Sequence, residues 1–184
     1  MRQIFLIASI AFAVHGVVFS QATWKGIRFG MSEGEVREVY GETLRKEVNK
    51  AQKTVLVDDN HELLGAALSV RAKVDLSLGK AGKLEVINIV AENPFSNEKT
   101  ATGASGSSLA AVTELTDRLT DKYGKPTTEE GPCKLTVEML ISNRPLLCKA
   151  MWRSEGQNVK MFWSVFDGRL RDFVLSYKPV PSDF

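Results

Sequence analysis

ALSVRAKVDLSLGKAGKLEVINIV, residues 67–90, carries the clearest periodicity in the chain. Leu68, Val70, Ala72, Val74, Leu76 and Leu78 alternate with Ser69, Arg71, Lys73, Asp75 and Ser77, the period-two pattern of a long strand with one wet face. Residues 79–82 (GKAG) turn the chain, and residues 84–90 (LEVINIV) return as a hairpin partner. One face of such a sheet must be covered.

Upstream, residues 26–41 read GIRFGMSEGEVREVYG. Ser32 and Glu35 have the spacing of a capping box, in which each side chain satisfies the other residue's backbone amide. Met31 and Val36 are spaced as a hydrophobic staple, Val36, Val39 and Tyr40 form an apolar stripe, and Gly41 is placed to end the helix. Val48, Val55 and Val57 suggest one or two strands before a charged turn at residues 58–62 (DDNHE).

Downstream, residues 93–108 are rich in Asn, Ser, Thr and Gly and read as a linker. Ser107 or Ser108 would cap a second helix with Leu109, Val112, Leu115, Leu119 and Tyr123 at helical spacing, stopped by Gly124 and Pro126. Leu135, Val137, Met139 and Ile141 then alternate like a strand, which residues 142–145 turn back into residues 147–152. Residues 159–166 and 170–177 close the chain as a hairpin around Asp167-Gly168.

The order repeats. Tyr40-Gly41 and Tyr123-Gly124 each end a helix, and Gly82-Lys83-Leu84 and Gly168-Arg169-Leu170 each open a returning strand. Such self-similarity suggests a tandem duplication, although helix ends and hairpins both favour glycine. The expected fold class is α+β, with two units of one helix packed on an antiparallel sheet: 23–92 and 107–184, joined by a linker at 93–106.

Arg2, the apolar run at residues 4–14 and Ser20-Gln21-Ala22 have the layout of a secretory signal over residues 1–22. That run is too short for a hydrocarbon core, which needs about 20 residues, so no membrane span is expected in the mature chain. The formal charge of +2, or +1 without Arg2, gives no electrostatic footprint for nucleic acid. Periplasmic or extracellular localisation follows. There an isolated pair such as Cys133 and Cys148 is expected to be oxidised, closing a loop at a gain of about 3 kcal/mol. A hairpin turn at residues 142–145 would put the two cysteines out of register, so either a bulge shifts the pairing, the chain before Leu135 folds back, or the thiols are free.

Phe29-Gly30-Met31-Ser32, Glu35-Val36 and the Tyr-Gly helix ends resemble small exported bacterial domains of the BamE-like and beta-lactamase-inhibitor-protein-like type. That resemblance implies a short helical part packed on one face of an antiparallel sheet; the inhibitor family has two such units in tandem. The chain lacks the lipid-anchor cysteine of the BamE-like proteins.

No catalytic constellation emerges. His61 is the one histidine after the signal, and no G-x-S-x-G elbow accompanies it. Asp58, Asn60 and Glu62 alternate like the start of a calcium loop, but Leu63 and Ser69 stand where its glycine and bidentate glutamate belong. The run at residues 103–108 (GASGSS) lacks the Gly-Lys-Ser/Thr ending of a phosphate loop. No metal and no cofactor is called for. Phe162 and Phe166 fall out of phase with Met161, Trp163 and Val165; on an open sheet face they would join Arg71 and Lys73 in a binding surface. The expected function is non-enzymatic binding of an unknown protein or small ligand through that face. Alternatives are a hydrolase or other enzyme with a dispersed site, or an envelope-assembly or structural component.

Overall fold

The computed structural model describes residues 24–41, 43–63, 70–92, 94–95, 101–142, 144–154 and 156–180. The expected signal and the first residues of the expected long strand lie outside these. The described elements are helices α1 (Glu33–Tyr40), α2 (Ala101–Tyr123) and α3 (Val137–Ile141), and strands β1 (Arg45–Val48), β2 (Thr54–Glu62), β3 (Arg71–Leu78), β4 (Leu84–Glu92), β5 (Thr128–Glu130), β6 (Leu146–Ser154), β7 (Gln157–Phe166) and β8 (Arg169–Pro179).

The strands form one antiparallel sheet in the order β1-β2-β3-β4-β8-β7-β6-β5. Two four-stranded meanders therefore meet where β4 pairs with β8, Ile89 opposite Leu175. The fold is α+β and dominated by the sheet. Val74, Leu76, Ile87, Ile89, Phe173, Leu175, Met161, Trp163 and Trp152 point to one face, where they share a core with Val36 of α1, Val112, Leu115 and Leu119 of α2 and Leu140 of α3. The three described helices thus cover the same face, and among the described residues no helix lies over the other.

Local chemistry explains α1. Ser32 Oγ accepts from the Glu35 amide, and the Ser32 amide donates to Glu35 Oε2 at 2.7 Å, so the capping box is closed. Just before it, the Gly30 amide donates to the Leu84 carbonyl and the Leu84 amide to the Met31 carbonyl, tying the helix start to β4. The second half has a related tie: the Leu170 amide donates to Ser108 Oγ at 2.9 Å.

Four expectations need correction. Residues 101–108 are not linker but the first turns of α2, because Ser108 and Ala111 are fully buried and tertiary packing overrides the weak helix propensity of a Gly/Ser-rich run. Residues 58–62 are not a turn; they complete β2, with a bulge between Asp58 and His61. Residues 137–141 form α3 rather than a strand, capped by Thr136 Oγ1 accepting from Met139, with Leu140 buried and Ile141 73% exposed. Among the described residues the second half accordingly has two helices, α2 and α3, where one is expected. The strand beside β6 is instead β5, Glu130 opposite Lys149, and the chain folding back after it brings Cys133 to Cys148 with Cα atoms 4.9 Å apart, forming the disulfide. Of the three alternatives left open, a bulge, a fold-back before Leu135 and free thiols, the fold-back is the one found.

Candidate functional site

The uncovered face is read from the register. One row of side chains crosses six strands: Lys73 of β3, Val90 of β4, Val174 of β8, Phe162 of β7, Lys149 of β6 and Glu130 of β5. At about 4.8 Å per strand, Lys73 and Lys149 stand roughly 19 Å apart, with an apolar stripe between them. Val90, Val174 and Phe162 are each half-buried. The neighbouring row is polar apart from Met151: Asp75, Asn88, Ser176, Lys160, Met151 and Thr128.

Between these rows a hollow of about 420 Å³ opens over β6, β7 and β8, with Phe162, Val174 and Met151 as its apolar lining and Lys149, Lys160 and Ser176 among its polar groups. Its volume and mixed lining fall in the range of small-ligand sites. Lys149 Nζ is 3.3 Å from Glu130 and Lys73 Nζ is 3.1 Å from Asp75, so both ends of the apolar row are locally neutralised.

The four residues singled out from sequence separate here. Phe162 lines the hollow, and Lys73 lies in the same row three strands away. Arg71 stands exposed at the start of β3 opposite Glu62, and Phe166, 46% exposed, sits at the β7–β8 hairpin opposite Arg169. Neither of these two lines the hollow. Sequence reasoning missed Val174, Met151 and Lys160. A signal is present for two of them, since Val174 and Met151 are apolar residues out of phase with the buried positions of their own strands, as Phe162 is in β7; Lys160 carries none.

A second cluster lies on the covered face. The bulge in β2 lets Asp58 and His61, three residues apart, oppose Val74 and Ala72, two apart, so both turn toward α1. Tyr40 Oη donates to Asp58 Oδ2 at 2.5 Å, and Asp58 Oδ1 accepts from the Asn60 amide at 3.0 Å. A hydroxyl has one proton, so the 3.2 Å contact between Tyr40 Oη and His61 Nδ1 is an N–H donated by the imidazole. Trp24 stacks edge-on against His61, which is 8% exposed.

Burial, with the Asp58 carboxylate, pushes the Tyr40 phenol up. Burial also lowers His61, helped by the nearby Lys25 charge and opposed by Asp58. At Asp58 burial works against ionisation, but the Tyr40 hydroxyl, the Asn60 amide and His61 hold the carboxyl below its ordinary value. Among the described residues no serine, threonine or cysteine hydrogen-bonds His61, and no group of three or more His, Cys, Asp or Glu could hold a metal ion. The cluster pins α1 to the sheet. The chain matches no protein-family model, no curated protein and no solved structure. Among the described residues no helix is long and apolar enough to cross a membrane.

Proposed function

We propose that this chain is an exported, non-enzymatic binding protein that offers the uncovered face of its sheet to a protein or small ligand. The observation that carries this reading is the stripe Val90–Val174–Phe162, three half-buried apolar side chains on the face that no described helix covers. Apolar surface held between charged residues is the pattern of an interaction site rather than of an ordinary wet sheet face. The Cys133–Cys148 disulfide suits an oxidising compartment, and with the signal layout of residues 1–22 it supports export to the periplasm or outside the cell.

The test is a photo-crosslinking amino acid at position 162, compared with one at Arg118 on the exposed side of α2, in the native extracellular or envelope fraction. A discrete adduct from position 162 that is absent from 118 supports the reading. Equal, diffuse labelling from both, together with turnover of a hydrolase substrate by the pure protein, overturns it.

The two meanders also support a duplicated unit. An offset of 86 residues carries Gly82 to Gly168, Leu84 to Leu170 and Ile89 to Leu175. Ile89 and Leu175 are also direct partners across the β4–β8 junction, while Ile87–Tyr177 and Ala91–Phe173 exchange under the same offset, as a local two-fold axis at that pair requires. The BamE-like and beta-lactamase-inhibitor-protein-like resemblance points the same way. Superposing β1–β4 on β5–β8 checks this: Leu84 falling away from Leu170 would remove the duplication.

A further inference from the structure

We propose that the hollow over β6, β7 and β8 takes a small anionic amphiphile, a single negative head on an apolar tail, with Lys160 holding the head. The inference rests on the uncovered face being a binding surface and names the ligand chemistry. Three observations carry it.

The first is the division of the lining. Lys160 lies between Ser176 of β8 and Met151 of β6, and the preceding residue of β6, Ala150, also lines the hollow. The head row therefore offers an ammonium flanked by a hydroxyl. Two residues along β7, Phe162 opposes Val174, and the tail row continues through Val90. Adjacent same-face positions on one strand are about 7 Å apart, the span between a head group and the first carbons of its tail.

The second is the charge balance. Lys149 is paired with Glu130, whereas the Lys160 ammonium has no ion pair or side-chain hydrogen bond among the described residues. The hollow thus carries one unneutralised positive charge beside apolar surface. A neutral ligand would leave that charge unused, and a cationic one would meet it. The third is size. A hollow of about 420 Å³, open on one side, suits a drug-sized molecule rather than a helix or a second sheet.

The experiment uses the protein purified after export and three single-tailed probes below their micellar concentrations: decanoate, the neutral octyl glucoside and cationic decyltrimethylammonium. Binding is read from amide chemical shifts by NMR. Decanoate should shift amides of β6, β7 and β8 and bind more tightly than the other two. Lys160→Gln should weaken decanoate about threefold, the scale of one exposed charge pair, and leave octyl glucoside unchanged. Lys160→Glu should invert the preference toward decyltrimethylammonium, a readout that a loss of folding cannot produce. Shifts in the hollow with equal affinity for all three probes would overturn the anionic assignment while leaving the face a binding surface. Decanoate shifts confined to other parts of the molecule, or none at all, would overturn the site itself; the crosslinking at position 162 judges the broader reading separately.

Discussion

Tyr40 Oη lies 2.5 Å from Asp58 Oδ2, a bond between the last residue of α1 and a strand residue eighteen positions later. The eight-residue helix is too short to be stable by itself, so its place on the sheet depends on such ties. Tyr40→Phe removes the donor and leaves a partly enclosed carboxylate short of a hydrogen bond. The expected loss is about 1–2 kcal/mol in urea unfolding. Asp58→Asn on the Tyr40→Phe background should cost less than it does alone, because both substitutions cut the same bond.

His61 makes stability depend on pH. Its folded value lies below the ordinary value of 6.5, so between the two the unfolded chain binds a proton that the folded chain refuses. The stabilising contribution is complete above about pH 6.5 and is lost as the pH falls toward the folded value. The depressed Asp58 carboxyl adds a second loss of the same sign at lower pH, below its ordinary value of 3.8. The urea midpoint should therefore drop between pH 7.5 and 5.5, as measured by fluorescence across that range. His61→Gln should flatten that segment of the curve while leaving the drop at lower pH.

Reducing the Cys133–Cys148 bond frees a loop of sequence separation 15 and should destabilise the protein by about 3 kcal/mol. Cys133→Ala with Cys148→Ala should reproduce that loss. Thiol titration of the unfolded, unreduced protein checks the premise: two titratable thiols would refute it.

Gly131 sits between β5 and Cys133 with φ +81, and a Cβ there would come into hard contact with the Leu147 carbonyl oxygen, an atom of β6 that cannot swing away. Gly131→Ala should cost more than about 1 kcal/mol from the left-handed backbone alone. Hydrogen exchange should show the β5–β6 pairing opened first.

Ser108 is fully buried in α2, and its Oγ accepts from the Leu170 amide across 62 residues. Ser108→Ala leaves that amide without this acceptor in the core, at an expected cost of about 1–3 kcal/mol by urea midpoint. Ser108→Thr keeps the hydroxyl but adds a methyl where there is no exposed room, and should be intermediate.

Much of this architecture is legible in local sequence. The alternation in β3 and β4, the Ser32–Glu35 box, the apolar stripe of α2 and the Asp167-Gly168 turn each encode their element through backbone geometry and nearest neighbours. The candidate site is legible only in outline. Phe162 declares itself by being out of phase, and Lys160 on its own strand and Val174 across the β7–β8 hairpin are local neighbours, but Val90 joins them only through the long-range β4–β8 pairing, and no local rule puts β8 beside β4.

The failures share that cause. Residues 137–141 alternate like a strand, yet with β5 and β7 already flanking β6 they have no ladder to join, and Thr136 caps them into a helix. Residues 101–108 have the composition of a linker, but burying Ser108 and Ala111 against the sheet outweighs the propensity deficit of their glycines. The bulge that turns Asp58 and His61 to one face is a property of β2 against β3, not of β2 alone. By itself the sequence determined which segments have an apolar side and where most of them start and stop, because those signals act within a few residues. Only the tertiary structure decided which strands are neighbours, which face the helices cover and hence which side chains stand together on the other, because those follow from burying every apolar side at once.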